Sequence, residues 1–168
     1  MRILCLHGLR HNKILLMRSM KTLINKFKNS IEFVFIESPF GYPNEPDYYC
    51  WWNANRDNAL TIEKYDLIND SLKYITNVWN SGNFDGILGF SQGSVLAQIF
   101  CYYIQNKTLD TYQPKFAILC STTPISDINL KNLYQTKLNI PICIIYGAND
   151  GLISIDTSNI ISKILHTE

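Results

Sequence analysis

Five short apolar runs of strand length recur along the 168-residue chain, and segments of helical period separate most of them. The runs are residues 2–6 (RILCL), 32–37 (EFVFIE), 85–90 (DGILGF), 115–120 (KFAILC) and 140–146 (IPICIIY). Between the first two, residues 12–28 place Leu16, Met20, Leu23 and Phe27 on one helical face, with Asn12 positioned as a cap. Residues 58–80 carry Tyr65, Ile68, Leu72, Ile75 and Trp79 at i, i+3, i+4 spacing and predict a long helix. Further helices are predicted over 92–106 and over 154–165, the latter capped by Ser154. Strands connected through helices form a parallel sheet covered on both faces. The expectation is therefore one α/β domain spanning 1–168, with a mostly parallel sheet of about five strands.

Sheets of this kind bind ligands at the carboxyl ends of their strands. The turns that follow strands one, three and five read HGLRHN, SQG and GAND. In GFSQG, Ser91 lies between Gly89 and Gly93, at a predicted strand-to-helix turn. A nucleophile elbow needs that context: the turn lifts the hydroxyl above the sheet, and glycines permit close packing around it. The same residues also fit a glycine-rich turn that cradles phosphate or has no role beyond structure. Acyl transfer needs two main-chain N–H groups aimed at the developing oxyanion. Gln92 would supply one and Leu9, just after Gly8, the other, with His7 shaping the loop. Asp150, after the fifth strand, suits the acid that orients a histidine. An Asp before Gly is otherwise a common turn residue.

Taken together, RILCLHGLRHN at 2–12, the tryptophan pair at 51–52, FDGILGFSQGSVLA at 84–97 and the IPICIIYGAND run ending at 150 resemble a family of small serine hydrolases. That family includes the ovarian-cancer-associated hydrolase and its fungal relatives. The resemblance implies an α/β-hydrolase fold and activity on carboxylic esters or thioesters, without a cofactor. Carried over by position, Ser91 is the nucleophile and Asp150 the triad acid.

One departure stands at the C-terminus. Family members continue into a further strand and a loop with a Gly-Gly-His type motif that supplies the catalytic histidine, whereas this sequence ends at ISKILHTE. The domain is thus expected to be C-terminally shortened. His166 keeps the order Ser…Asp…His, but a twelve-residue helix at ~1.5 Å per residue carries it ~18 Å from the carboxyl edge. His7 and His11 lie at the correct edge without an assured partnership with Asp150. A second reading follows: a pseudoenzyme that keeps the fold and binds a ligand or partner with impaired turnover. A flavodoxin-like phosphate binder is a third. Without a further strand, residues 142–146 form an apolar open edge, so self-association is expected unless residues 121–139 cover it.

Residues 38–57 are rich in proline and aromatics, and Tyr49, Trp51 and Trp52 are candidates for an acyl pocket or for core seals under a long loop. The net charge of +1, with no Lys/Arg stripe of the nucleic-acid-binding kind, argues against a nucleic-acid partner. No apolar stretch approaches the ~18 residues of a membrane helix, and no membrane partner is expected. The N-terminus lacks a signal-peptide pattern, and five scattered cysteines without a CxxC pair suit reduced thiols rather than zinc. The expected location is cytoplasmic, with no metal.

Overall fold

The computed structural model describes residues 1–56 and 63–166. Strand β1 (Arg2–Leu6) leads through helices α1 (Lys13–Ser19) and α2 (Lys21–Phe27) to β2 (Glu32–Ile36). Short pairs follow: β3 (Phe40–Gly41) with β4 (Tyr49–Cys50), then β5 (Asn53–Arg56) with β6 (Glu63–Asp66), both antiparallel. Helix α3 (Ile68–Gly82), β7 (Gly86–Phe90), α4 (Gln92–Gln105), β8 (Phe116–Cys120), β9 (Ile142–Ile145) and α5 (Ile155–His166) complete the order. The main sheet runs β2-β1-β7-β8-β9 and is parallel throughout. The five apolar runs are its five strands, as expected from the sequence.

Pleating divides the core in two. Leu4, Leu6, Ile87, Ala117 and Leu119 face one side, where α3, α4 and α5 pack. Ile3, Cys5 and Leu88 face the other, against Leu16 of α1. Helix α4 is the central element, with Leu96, Ile99 and Phe100 fully buried. Each such side chain contributes about 1.5–3 kcal/mol of transfer free energy. At β9, Ile142 and Ile144 pack into the first core, while Cys143 and Ile145 on the opposite face are exposed. Residues 121–139 send Ile125, Leu130 and Leu138 into that same core.

Two expectations are corrected. The helix over 12–28 is interrupted: Met20 (φ −90°, ψ 5°) ends α1, although Asn12 caps it as expected by accepting from Leu15 N at 2.8 Å. The long helix over 58–80 begins only at Ile68. Residues 63–66 are a strand, and Leu67 has left-handed backbone (φ 73°) that blocks helix propagation toward the N-terminus. The part of that expectation on 58–62 falls outside the described residues. Tyr65 is held by distant partners: its N–H donates to Asp127 Oδ2 at 2.8 Å, and its ring stacks on Trp52 at 4.4 Å.

Candidate active site

Ser91 stands between β7 and α4 with φ 51° and ψ −117°, a conformation costing a non-glycine residue about 1–3 kcal/mol. Its surroundings hold it there. Ser91 N–H donates to Cys120 O at 2.9 Å, and its carbonyl accepts from Ser94 N at 2.9 Å and Ser94 Oγ at 2.5 Å. The flanking glycines are required by space. A Cβ on Gly89 would lie 2.3 Å from Gly93 O, and one on Gly93 would lie 2.4 Å from His7 O and 2.5 Å from Leu6 O. The loop after β1 lies directly against the serine, since a Cβ on Gly8 would sit 3.2 Å from Ser91 Cβ.

His7 organises that loop and is fully buried. Its Nδ1 lies 2.8 Å from Gly8 O, and Ser38 N–H donates to its Nε2 at 3.1 Å. A carbonyl can only accept and an N–H can only donate, so the proton sits on Nδ1 and the ring is neutral. Burial pushes its pKa down to about 4, consistent with that state. Glu37 Oε1 also lies 3.1 Å from Nε2, and because the ring is neutral the contact is no ion pair; burial raises the Glu37 carboxyl. The Gly8 carbonyl and the Leu9 N–H are opposite ends of one planar trans peptide. Anchoring the carbonyl on His7 therefore fixes where the Leu9 N–H points. Neither Leu9 N–H nor Gln92 N–H has a protein acceptor among the described residues.

The aromatic segment is clamped to this centre. Gln92 Oε1 accepts from Trp51 N at 2.8 Å, and its Nε2 donates to Trp52 O at 2.8 Å. The Trp51 indole N–H donates to His7 O at 2.8 Å, and its ring stacks on the imidazole at 5.0 Å. Trp51 is 0% and Trp52 4% exposed, so both are core side chains. Tyr49 is half-buried, with its N–H donating to His11 O at 3.0 Å and its ring edge-on to His7 at 6.2 Å. Of the three residues expected to line a pocket, Tyr49 alone offers appreciable surface.

Asp150 follows β9 at the same sheet edge. Its Oδ1 accepts from Leu152 N at 2.9 Å and Ile153 N at 3.1 Å, and its Oδ2 accepts from Ser121 Oγ at 3.1 Å. The two main-chain donors, with help from Ser121, hold the carboxyl below the usual Asp range. Ser121, which the sequence analysis missed, is the residue after β8 and also has left-handed φ (46°). Its N–H donates to Ile145 O at 2.7 Å. Its only signal in the sequence is its place one residue beyond a strand, the register Ser91 occupies after β7.

His7 and His11 are held by other groups. Among the described residues, no imidazole hydrogen-bonds to Ser91 or Asp150. Both His7 nitrogens are engaged. His11 lies with its ring centroid 5.7 Å from that of Phe90, and its buried Nδ1 has no partner among the described residues. Burial lowers its pKa. His166 ends α5, and its side chain lies outside the described residues.

A strand–serine–helix elbow at the carboxyl edge of this parallel sheet defines an α/β-hydrolase fold. Solved structures share it: Zea mays acyl-protein thioesterase 2 superposes with TM-score 0.71 over 97% of this chain and 77% of its own, at 16% identity. Esterase PE8 gives TM-score 0.70, with 97% and 75% covered, also at 16% identity. The chain belongs to the family described as Serine hydrolase (FSH1), which matches residues 1–167. It is 30% identical to Esterase GA18864 of Drosophila pseudoobscura pseudoobscura, covering 96% of this chain and 60% of that protein. It is 26% identical to Esterase OVCA2 of Danio rerio, with 91% and 78% covered. The chain thus spans about three fifths of the length of the insect esterase.

Proposed function

We propose that the chain carries the nucleophile, oxyanion donors and orienting acid of a serine hydrolase acting on carboxylic esters or thioesters. Ser91 Oγ attacks the carbonyl carbon and its proton passes to a base. The oxyanion is held by Leu9 and Gln92 N–H, and the alcohol or thiol leaves as the acyl-enzyme forms. Water then releases the acid. Asp150 orients the base. Tyr49 lines the acyl side, with Trp51 and Trp52 as the rigid wall behind it. The observation that carries this reading is the φ 51° of Ser91, in a turn flanked by two main-chain N–H groups that have no acceptor among the described residues. Backbone strain at a serine in a strand-to-helix turn supports a hydroxyl held in place for use. The five free thiols support a reducing, cytoplasmic location. Exposed Ile145 and Tyr146 support self-association through 142–146, which sedimentation would read as a concentration-dependent mass.

A second reading rests on the absence, among the described residues, of a hydrogen bond from an imidazole to Ser91 or Asp150. Under it the fold binds an acyl ligand and turns it over slowly. Oxyanion stabilisation and binding without a full triad still leave ~10³–10⁴-fold acceleration over water. A fluorophosphonate probe separates the two, with intact mass as the readout and Ser91→Ala as control. Rapid stoichiometric labelling, lost in the control, is expected. Absence of labelling in folded protein would favour the binding role. His11→Ala beside His7→Ala would then show whether either ring takes the proton.

A further inference from the structure

The net charge of +1 conceals an uneven distribution. Residues 13–28 contain five cations (Lys13, Arg18, Lys21, Lys26 and Lys28) and no carboxylate, while the rest of the chain carries ten cations against fourteen carboxylates. Arg18, Lys21, Lys26 and Lys28 are exposed, and none forms an ion pair among the described residues. The next acids along the chain are engaged elsewhere: Glu32 pairs with Arg2, and Glu37 accepts from the Lys13 N–H. On α1, Ile14, Met17 and Arg18 form one stripe at i, i+3, i+4 spacing, and Lys21 at the start of α2 lines the same groove as Met17 and Arg18. That stripe points away from the buried Leu16. Within it Ile14 is 46% and Met17 44% exposed.

Beside the stripe runs a groove of about 330 Å³ between α1–α2 and the edge strand β2. It is lined by the apolar Met17, Ile24, Phe33 and Phe35 together with Arg18, Lys21 and Asn25. A polyanion such as nucleic acid would use the cations and leave the apolar walls without a partner. A bilayer interface offers phosphates and acyl chains at one depth, and so matches both. The acidic balance of the remaining surface is repelled by anionic lipid, which leaves this face to approach.

We propose that the α1–α2 face docks on the surface of an anionic lipid bilayer, without crossing it. Arg18, Lys21 and Lys28 meet the headgroups, and Ile14 and Met17 enter the acyl boundary. The proposal is independent of whether Ser91 turns over substrate.

Vesicle co-sedimentation tests it with the full chain. Vesicles of phosphatidylcholine with about one third phosphatidylserine are compared with pure phosphatidylcholine, at low and high salt. Partition onto the anionic vesicles is expected, weakened by salt. Each cation near such a surface is worth about five-fold in partition, so Arg18→Gln/Lys21→Gln/Lys28→Gln should lower it on the order of 100-fold. Met17→Ser should lower it further without changing the salt dependence. The charge-matched control Lys73→Gln/Lys107→Gln/Lys131→Gln, exposed but distant in the fold, should bind as the unaltered chain does. Equal binding to neutral vesicles, equal loss in the control, or no partition by folded protein would each overturn the proposal. Retention on heparin without vesicle binding would also overturn it and reassign the face to a polyanion.

Discussion

Gln92 and Trp51 are joined side chain to main chain: the Gln92 amide oxygen accepts from Trp51 N–H at 2.8 Å inside the core. With its Nε2 on Trp52 O, the residue that follows the elbow serine fixes the aromatic segment in place. Gln92→Ala strands a buried N–H and a buried carbonyl, each costing about 1–3 kcal/mol. Urea unfolding should show a loss of about 2–4 kcal/mol, with helix content retained. Gln92→Glu restores the acceptor only and should fall between the two.

His7 makes stability acid-sensitive. Its folded pKa of about 4 lies below the ordinary 6.5, so the unfolded chain binds the proton more readily. The contribution of the neutral ring is complete above pH 6.5 and is lost as pH falls toward 4. Over that window the folded state should lose about 3 kcal/mol. Denaturation series from pH 7.5 to 4 should show this slope, and His7→Gln should flatten it while lowering stability at pH 7.5.

Gly93 is irreplaceable for reasons of space. Alanine there would press its methyl to 2.4 Å from the His7 carbonyl and 2.5 Å from that of Leu6, both main-chain atoms of β1 and its exit. Gly93→Ala should cost about 3 kcal/mol or more and yield little folded protein. Gly41→Ala, where a Cβ meets nothing within 4 Å, is the matched control and should fold normally.

Ser121 contributes one of three donors on Asp150. Ser121→Ala should raise the Asp150 carboxyl pKa slightly and leave it below the usual Asp range, because Leu152 and Ile153 N–H remain. Carboxyl-carbon NMR titration reads this directly. A rise to an ordinary Asp value would mean that the turn at 147–153 depends on the serine.

Much of this architecture is legible in the chain because its signals are local. RILCL, DGILGF and KFAILC carry apolar residues on both faces and so read as parallel strands without any knowledge of their neighbours. Gly89 and Gly93 announce a tight turn at Ser91. What the sequence concealed depends on partners far along the chain. Tyr65 keeps helical spacing with Ile68 and Leu72, yet Asp127, 62 positions away, and Trp52 draw it into a strand. Trp51 and Trp52 read equally as pocket and as core until Gln92 and His7 are seen to enclose them. Ser121 carries no motif, and only the adjacency of β8 and β9 brings it to Asp150.

Strand β1 lies between β2, which begins 30 residues later, and β7, whose Gly86 pairs with Ile3 across 83 positions. During synthesis the first strand therefore waits on one side for its neighbour. At about 5–20 residues per second the delay is roughly 4–17 s, far longer than local helix formation needs. For that interval the nascent N-terminal third presents an unpaired apolar strand. The wait ends when β7 emerges, so the elbow that displays Ser91 is also the piece whose arrival lets the beginning of the protein settle.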